Sequence, residues 1–192
     1  MSGKRKVASL KKRRGLSQVV TTLILLVVSV LLAGIVTYYA TNITMTRTEQ
    51  EDVSVAKAHV WVNGTTQVCA FAVQNLGGRD ILIDKVAIRG VECKWSDENV
   101  GYERPTSLPT GDMNVTQEWT WAGVPPTFTH DGETYDKATT DIPVASSGIV
   151  LFYVKDPPNI DLDDIGTTVS ITVFTMQGQY IEEVNVESAS TG

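Results

Sequence analysis

From Gly15 to Thr46 the chain has not one charged side chain, although 20% of its 192 residues are Asp, Glu, Lys or Arg. At about 1.5 Å of rise per residue, a helix of that length spans roughly 45 Å, more than the roughly 30 Å hydrocarbon core of a bilayer. Its apolar residues favour no one face. That excludes an ordinary amphipathic surface helix, because a helix apolar all round must be surrounded by lipid or by protein. Acid is also missing, from residues 1–15, where Lys4, Arg5, Lys6, Lys11, Lys12, Arg13 and Arg14 stand alone. The other nine Lys and Arg stand against all 22 Asp and Glu. A basic N-terminus before a long apolar helix places residues 1–15 on the cytoplasmic side and the acidic remainder outside. An acidic domain repels phosphates, so nucleic acid is not expected as a partner.

The chemistry-bearing residues are sparse as well. His59 and His130 stand apart, and there is no nucleophile–base arrangement, phosphate-cradling glycine loop or Cys/His metal spacing. No enzyme activity, cofactor or metal is expected. Asp161-Leu162-Asp163-Asp164 has carboxylates of the kind calcium takes, but without EF-hand spacing it reads as a solvated acidic loop. Cys69 and Cys93 are the only cysteines. Both fall in β-like segments of the external part, where a disulfide can form and persist, and a bridge between them is expected to add roughly 3–4 kcal/mol.

A conventional secretory signal has an apolar stretch of about 7–15 residues and a small-residue cut after it. Here the stretch is too long, and Tyr38-Tyr39 ahead of Ala40 is a poor match to such a cut. The segment Arg13-Arg14-Gly15-Leu16-Ser17, with its basic cluster abutting the apolar run, resembles the class III signal of archaeal type IV pilins and archaellins. The resemblance covers Arg13 to about Tyr39. It implies cleavage between Gly15 and Leu16, after Arg14, by a class III prepilin peptidase, a membrane aspartic peptidase on the cytoplasmic side. Bacterial type IV pilins usually carry a glutamate early in this helix. This chain has Val19-Val20 there and no acid before Glu49, which favours the archaeal branch.

The same resemblance implies a membrane-held precursor and a homo-oligomeric helical filament at the cell surface. It also implies assembly by an ATPase and a membrane platform protein. Leu16-Ser17-Gln18-Val19-Val20-Thr21-Thr22-Leu23 leans towards an adhesion pilin. The alternatives are an archaellin of a motility filament, and an uncleaved single-pass anchor carrying an external binding domain. Within the helix Ser29, Ala33 and Thr37 recur at every fourth position with Gly34 alongside, a small-residue stripe that permits close helix–helix approach.

The expected fold class is α+β: a helix over 16–50, then an all-β, immunoglobulin-like sandwich over 53–192. Alternating or apolar runs predict strands at 53–62, 67–73, 81–88, 91–95, 148–154, 169–175 and 179–186, with turns at Asn63-Gly64 and Gln177-Gly178. Residues 97–147 hold five of the seven prolines and read as a long surface excursion, with one strand at Val115–Trp121. There Trp119 and Trp121 pack a local hairpin or form a carbohydrate-stacking platform. Asn42, Asn63 and Asn114 head Asn-X-Thr sequons and are candidate glycan acceptors in an external domain.

Overall fold

The computed structural model describes residues 4–64, 66–116 and 119–189. The chain divides into two compact units between Arg47 and Thr48. The first is formed by one helix, α1, Lys4–Glu49, whose last two residues fall past the division. It starts well before the expected boundary at 16, so the basic leader continues the helix rather than preceding it. Valine, isoleucine and threonine are weak helix formers in water, but in an apolar medium the helix alone gives their backbone groups partners.

The second unit is all β: β1 (Val53–Asn63), β2 (Thr66–Asn75), β3 (Ile81–Ile88), β4 (Val91–Cys93), β5 (Val100–Glu103), β6 (Thr127–His130), β7 (Glu133–Lys137), β8 (Ile142–Val144), β9 (Ile149–Lys155), β10 (Thr168–Thr175) and β11 (Gln179–Ser188). The strand order is β4-β3-β10-β11-β1-β2-β9-β5-β7-β6, with β8 added to β3. All pairings are antiparallel except β1 with β11. β11 belongs to both layers: Gln179–Asn185 pair with β10, and Val186–Ser188 run parallel to β1. The sandwich is therefore one continuous sheet folded over at its last strand, and the α+β class is as the sequence predicts.

Two apolar layers follow from the period of two along each strand. Cys69, Phe71 and Val73 of β2 join Phe152, Val86, Ile88, Ile171 and Val173 in the core between the layers. There Phe71 stacks on Phe152 at 5.1 Å. The alternate residues Val68, Ala70 and Ala72 face the other way and are equally buried, beside Leu151, Tyr153 and Trp61 in a second cluster. Their cover is the excursion, which contributes Met113, Trp119, Phe128 and Tyr135.

The excursion therefore departs from expectation. Residues 97–147 form four short strands, β5 to β8, and a buried layer instead of a surface loop. The expected strand at Val115–Trp121 is absent; its described residues are irregular, and 117–118 lie outside the described residues. The reason is physical. Val115 to Trp121 carries aromatic residues without a partner strand, whereas Val100-Gly101-Tyr102-Glu103 looks weak alone yet is paired on both edges, by β7 and β9.

Candidate assembly and membrane helix

The stretch Gly15–Thr46 of α1 is 32 residues long, and within the isolated chain none of it is buried. Leu16, Val19, Val20, Leu23, Ile24, Leu25 and Leu26 are all exposed, and so are Ile35, Val36, Tyr38, Tyr39, Ile43 and Met45 further on. Such a surface meets water at a cost of about 25 cal/mol per Å² of apolar area, so a lone chain in water is not its resting state.

Seven of its hydroxyl side chains are satisfied internally. Thr21 donates its hydroxyl to the Ser17 carbonyl at 2.8 Å, and Thr22 to that of Val19 at 2.9 Å. Ser29 donates to the carbonyls of Leu25 and Leu26, both at 2.9 Å. Thr37, Thr41, Thr44 and Thr46 bond to Ala33, Thr37, Ala40 and Asn42, at 2.8, 2.8, 2.8 and 2.9 Å. Every serine and threonine from Thr21 to Thr46 thus returns its proton to its own helix. An unpaired hydroxyl in an apolar medium costs a few kcal/mol, and this bonding removes that cost before any partner arrives.

Ser29, Ala33 and Thr37 share one stripe, and Thr37 is tied to Ala33 by its own hydrogen bond. A Cβ added at Gly34 would meet nothing within 4 Å in the isolated chain. Arg14, Gly15 and Leu16 lie in unbroken helix. Tyr38 and Tyr39 meet edge to face, with ring centroids 6.1 Å apart. In the sequence they count against a conventional cleavage site, yet tyrosine at the end of an apolar run is itself a signal of a membrane–water boundary.

Neither a protein-family model nor a curated protein matches the chain.

The other candidate residues are distributed over the β unit. Cys69 on β2 and Cys93 on β4 share the inner core but are free thiols, so the expected bridge is not present. Burial raises both: Cys69 well above the usual thiol range, Cys93 to about 12. Neither is poised as a reactive thiolate. Of the sequons, Asn42 and Asn114 are exposed and Asn63 is half-buried at the end of β1, while Thr65 lies outside the described residues. Asn114 Nδ2 donates to Asp131 at 2.8 Å, and its carbonyl accepts from the Tyr153 hydroxyl at 2.8 Å.

The acidic loop holds a guanidinium: Arg89 Nη1 lies 2.8 Å from Asp164 Oδ2 and donates to the Asn159 carbonyl at 2.9 Å. The Asp161 amide and then Arg89 hold the Asp164 carboxyl below its ordinary range. Among the described residues no three His, Cys, Asp or Glu are grouped to hold a metal. Trp119 is buried and stacks on Phe128 at 4.5 Å, so it is a packing residue and not an open sugar platform.

Proposed function

We propose that the chain is a pilin-like structural subunit of an archaeal type IV-like surface filament, an adhesion pilus before an archaellum, assembled through α1 and without catalysis of its own. The observation that carries the reading is the pairing of a basic cluster abutting Gly15 with an uncharged helix whose exposed side chains are apolar on every face. One such surface suits two successive environments, because lipid and the interior of a helix bundle make similar demands.

As precursor, the helix fits a bilayer. From Gln18 to Tyr38 is about 30 Å of helix, which matches a hydrocarbon core with the tyrosines at the outer headgroups. The leader's lysines and arginines resist crossing, at about 2.5–3.5 kcal/mol each. Cleavage after Gly15 removes them, and identical helices then replace the lipid, with Ser29, Ala33 and Thr37 allowing close approach. Asn63 and Asn114 are the proposed glycan acceptors on the outer surface.

The N-terminal residue of the surface-located protein tests the reading. Mass spectrometry is expected to find Leu16, and Gly15→Asp is expected to leave the precursor full length because the peptidase needs a small residue there. A mature protein still carrying its leader instead supports the second reading, an uncleaved single-pass anchor. The unbroken helix from Lys4 is the observation that favours that alternative.

A further inference from the structure

Where the excursion meets β7 and β9 there is a cavity of about 400 Å³. The period of two along each strand brings Glu133 and Tyr135 of β7, and Leu151 and Tyr153 of β9, to its wall. Tyr135, Leu151 and Tyr153 are buried and make an apolar floor, while Asp112, Asp131 and Glu133 are exposed and make the rim. The two tyrosine rings meet at 81° with centroids 5.0 Å apart, so the floor is an aromatic corner.

Tyr135 is the residue that packing leaves unexplained. It is only 3% exposed and lines the cavity, yet its hydroxyl makes no hydrogen bond among the described residues. The Tyr153 hydroxyl, by contrast, donates to the Asn114 carbonyl at 2.8 Å. A buried hydroxyl without a partner is unfavourable unless something in the cavity bonds to it. Burial, then the charges of Glu103, Glu133 and Asp131, raise that hydroxyl above the usual phenol range, so it stays protonated in a negative field.

We propose that this cavity is a binding site for a small linear diamine, one ammonium held by Asp131, Glu133 and the Tyr135 hydroxyl oxygen and the other by Asp112.

Charge and spacing select that ligand. The rim carboxylates repel an anion, and a neutral ligand would strip water from them without compensation. Among the described residues no three His, Cys, Asp or Glu are grouped to hold a metal, so one compact cation does not serve all three carboxylates. A chain with two charged ends spans them, its methylenes lying on Leu151 and Met113 and its charge favoured by the tyrosine rings.

The basic groups nearby leave this charge largely open. Lys57 directs its ammonium to the Pro109 and Gly111 carbonyls. His59 Nε2 lies 3.0 Å from Asp112 Oδ1, with Nδ1 3.5 Å from Glu187. His130 is registered opposite Glu133, but its Nε2 lies 3.2 Å from the Asn114 carbonyl and 3.4 Å from Asp131 Oδ2. Each histidine offsets an aspartate only when protonated. Asn114 Nδ2 donates to Asp131 at 2.8 Å and fixes that carboxylate at the rim. Glu133 makes no ion pair among the described residues.

Isothermal titration of the full chain in a non-ionic detergent tests the site, with cadaverine as the probe. Work at about pH 7.5 keeps ordinary histidines mostly neutral, and about 0.15 M salt screens diffuse attraction to the acidic unit. One-to-one saturable binding is expected with a dissociation constant below about 1 mM, and none of the uncharged analogue 1,5-pentanediol. Pentylamine, with a single charged end, is expected to bind about tenfold more weakly, and equal affinity overturns the two-ended ligand. Tyr135→Phe keeps the packing and Glu133→Gln changes an exposed position, and each is expected to weaken cadaverine about tenfold. Absence of saturable binding up to about 10 mM, or an affinity unchanged in either variant, overturns the proposal.

Discussion

Single residues in the β unit are decided by close approach. A Cβ built on Gly101 falls 2.4 Å from Phe128 Cε1 and 3.3 Å from the Trp121 ring, so the aromatic layer rests directly on bare backbone. Gly101→Ala is expected to lift Phe128 off β5 and to destabilise the unit by about 1–3 kcal/mol, the usual range for overpacking. A lowered midpoint in chemical denaturation, with Trp emission as the probe, checks it. Lys57 shows the same dependence on fine geometry. It sits at φ 52° in a bulge of β1, which turns its ammonium towards the carbonyls of Pro109 and Gly111. Asn75, fully buried, donates its amide to the Arg79, Val144 and Ala145 carbonyls and accepts from the Gly77 amide. None of these roles is visible in the sequence, where a glycine, a lysine and an asparagine in strands look neutral.

Elements were legible to the extent that burial imposed a simple pattern. β3 coincides with the predicted 81–88, and β2, β9, β10 and β11 differ from prediction at their ends only. β5 to β8 escaped because strands of three to five residues carry too few alternations to show a period, and β8 contains Pro143. α1 was legible from its missing charge. Its small-residue stripe is a feature of the element, and its test belongs here. Ala33→Trp is expected to leave membrane insertion intact, since lipid tolerates a large apolar side chain, while abolishing fibres seen by electron microscopy. Normal fibres from that variant would remove the stripe as a packing device.

At the scale of the molecule, the two units make different demands on their surroundings. Both core clusters of the β unit are built from residues from Val53 onward, and no described residue of α1 is a member of either. A fragment beginning at Thr48 is therefore expected to be soluble and to unfold in one cooperative transition with a melting temperature close to that of the full chain. Circular dichroism and well-dispersed amide spectra check this. Aggregation of the fragment, or loss of its fold, would show that the helix supports the β unit. The acidic excess lies entirely outside residues 1–15, which suits a surface domain kept soluble by its own charge.

The sequence by itself determined the division of labour. A run of uncharged apolar residues demands apolar surroundings, lipid or protein, and period-two alternation demands a sheet with a buried face. Those are local properties, readable from neighbours along the chain. What covers the second face of the sheet was decided by tertiary structure alone. Ala70 and Ala72 are buried because a segment some fifty residues later folds over them, and Tyr102 comes opposite Asp136 because β7 pairs with β5. Contacts of that range depend on which strands become neighbours, and no local pattern in the chain carries that information.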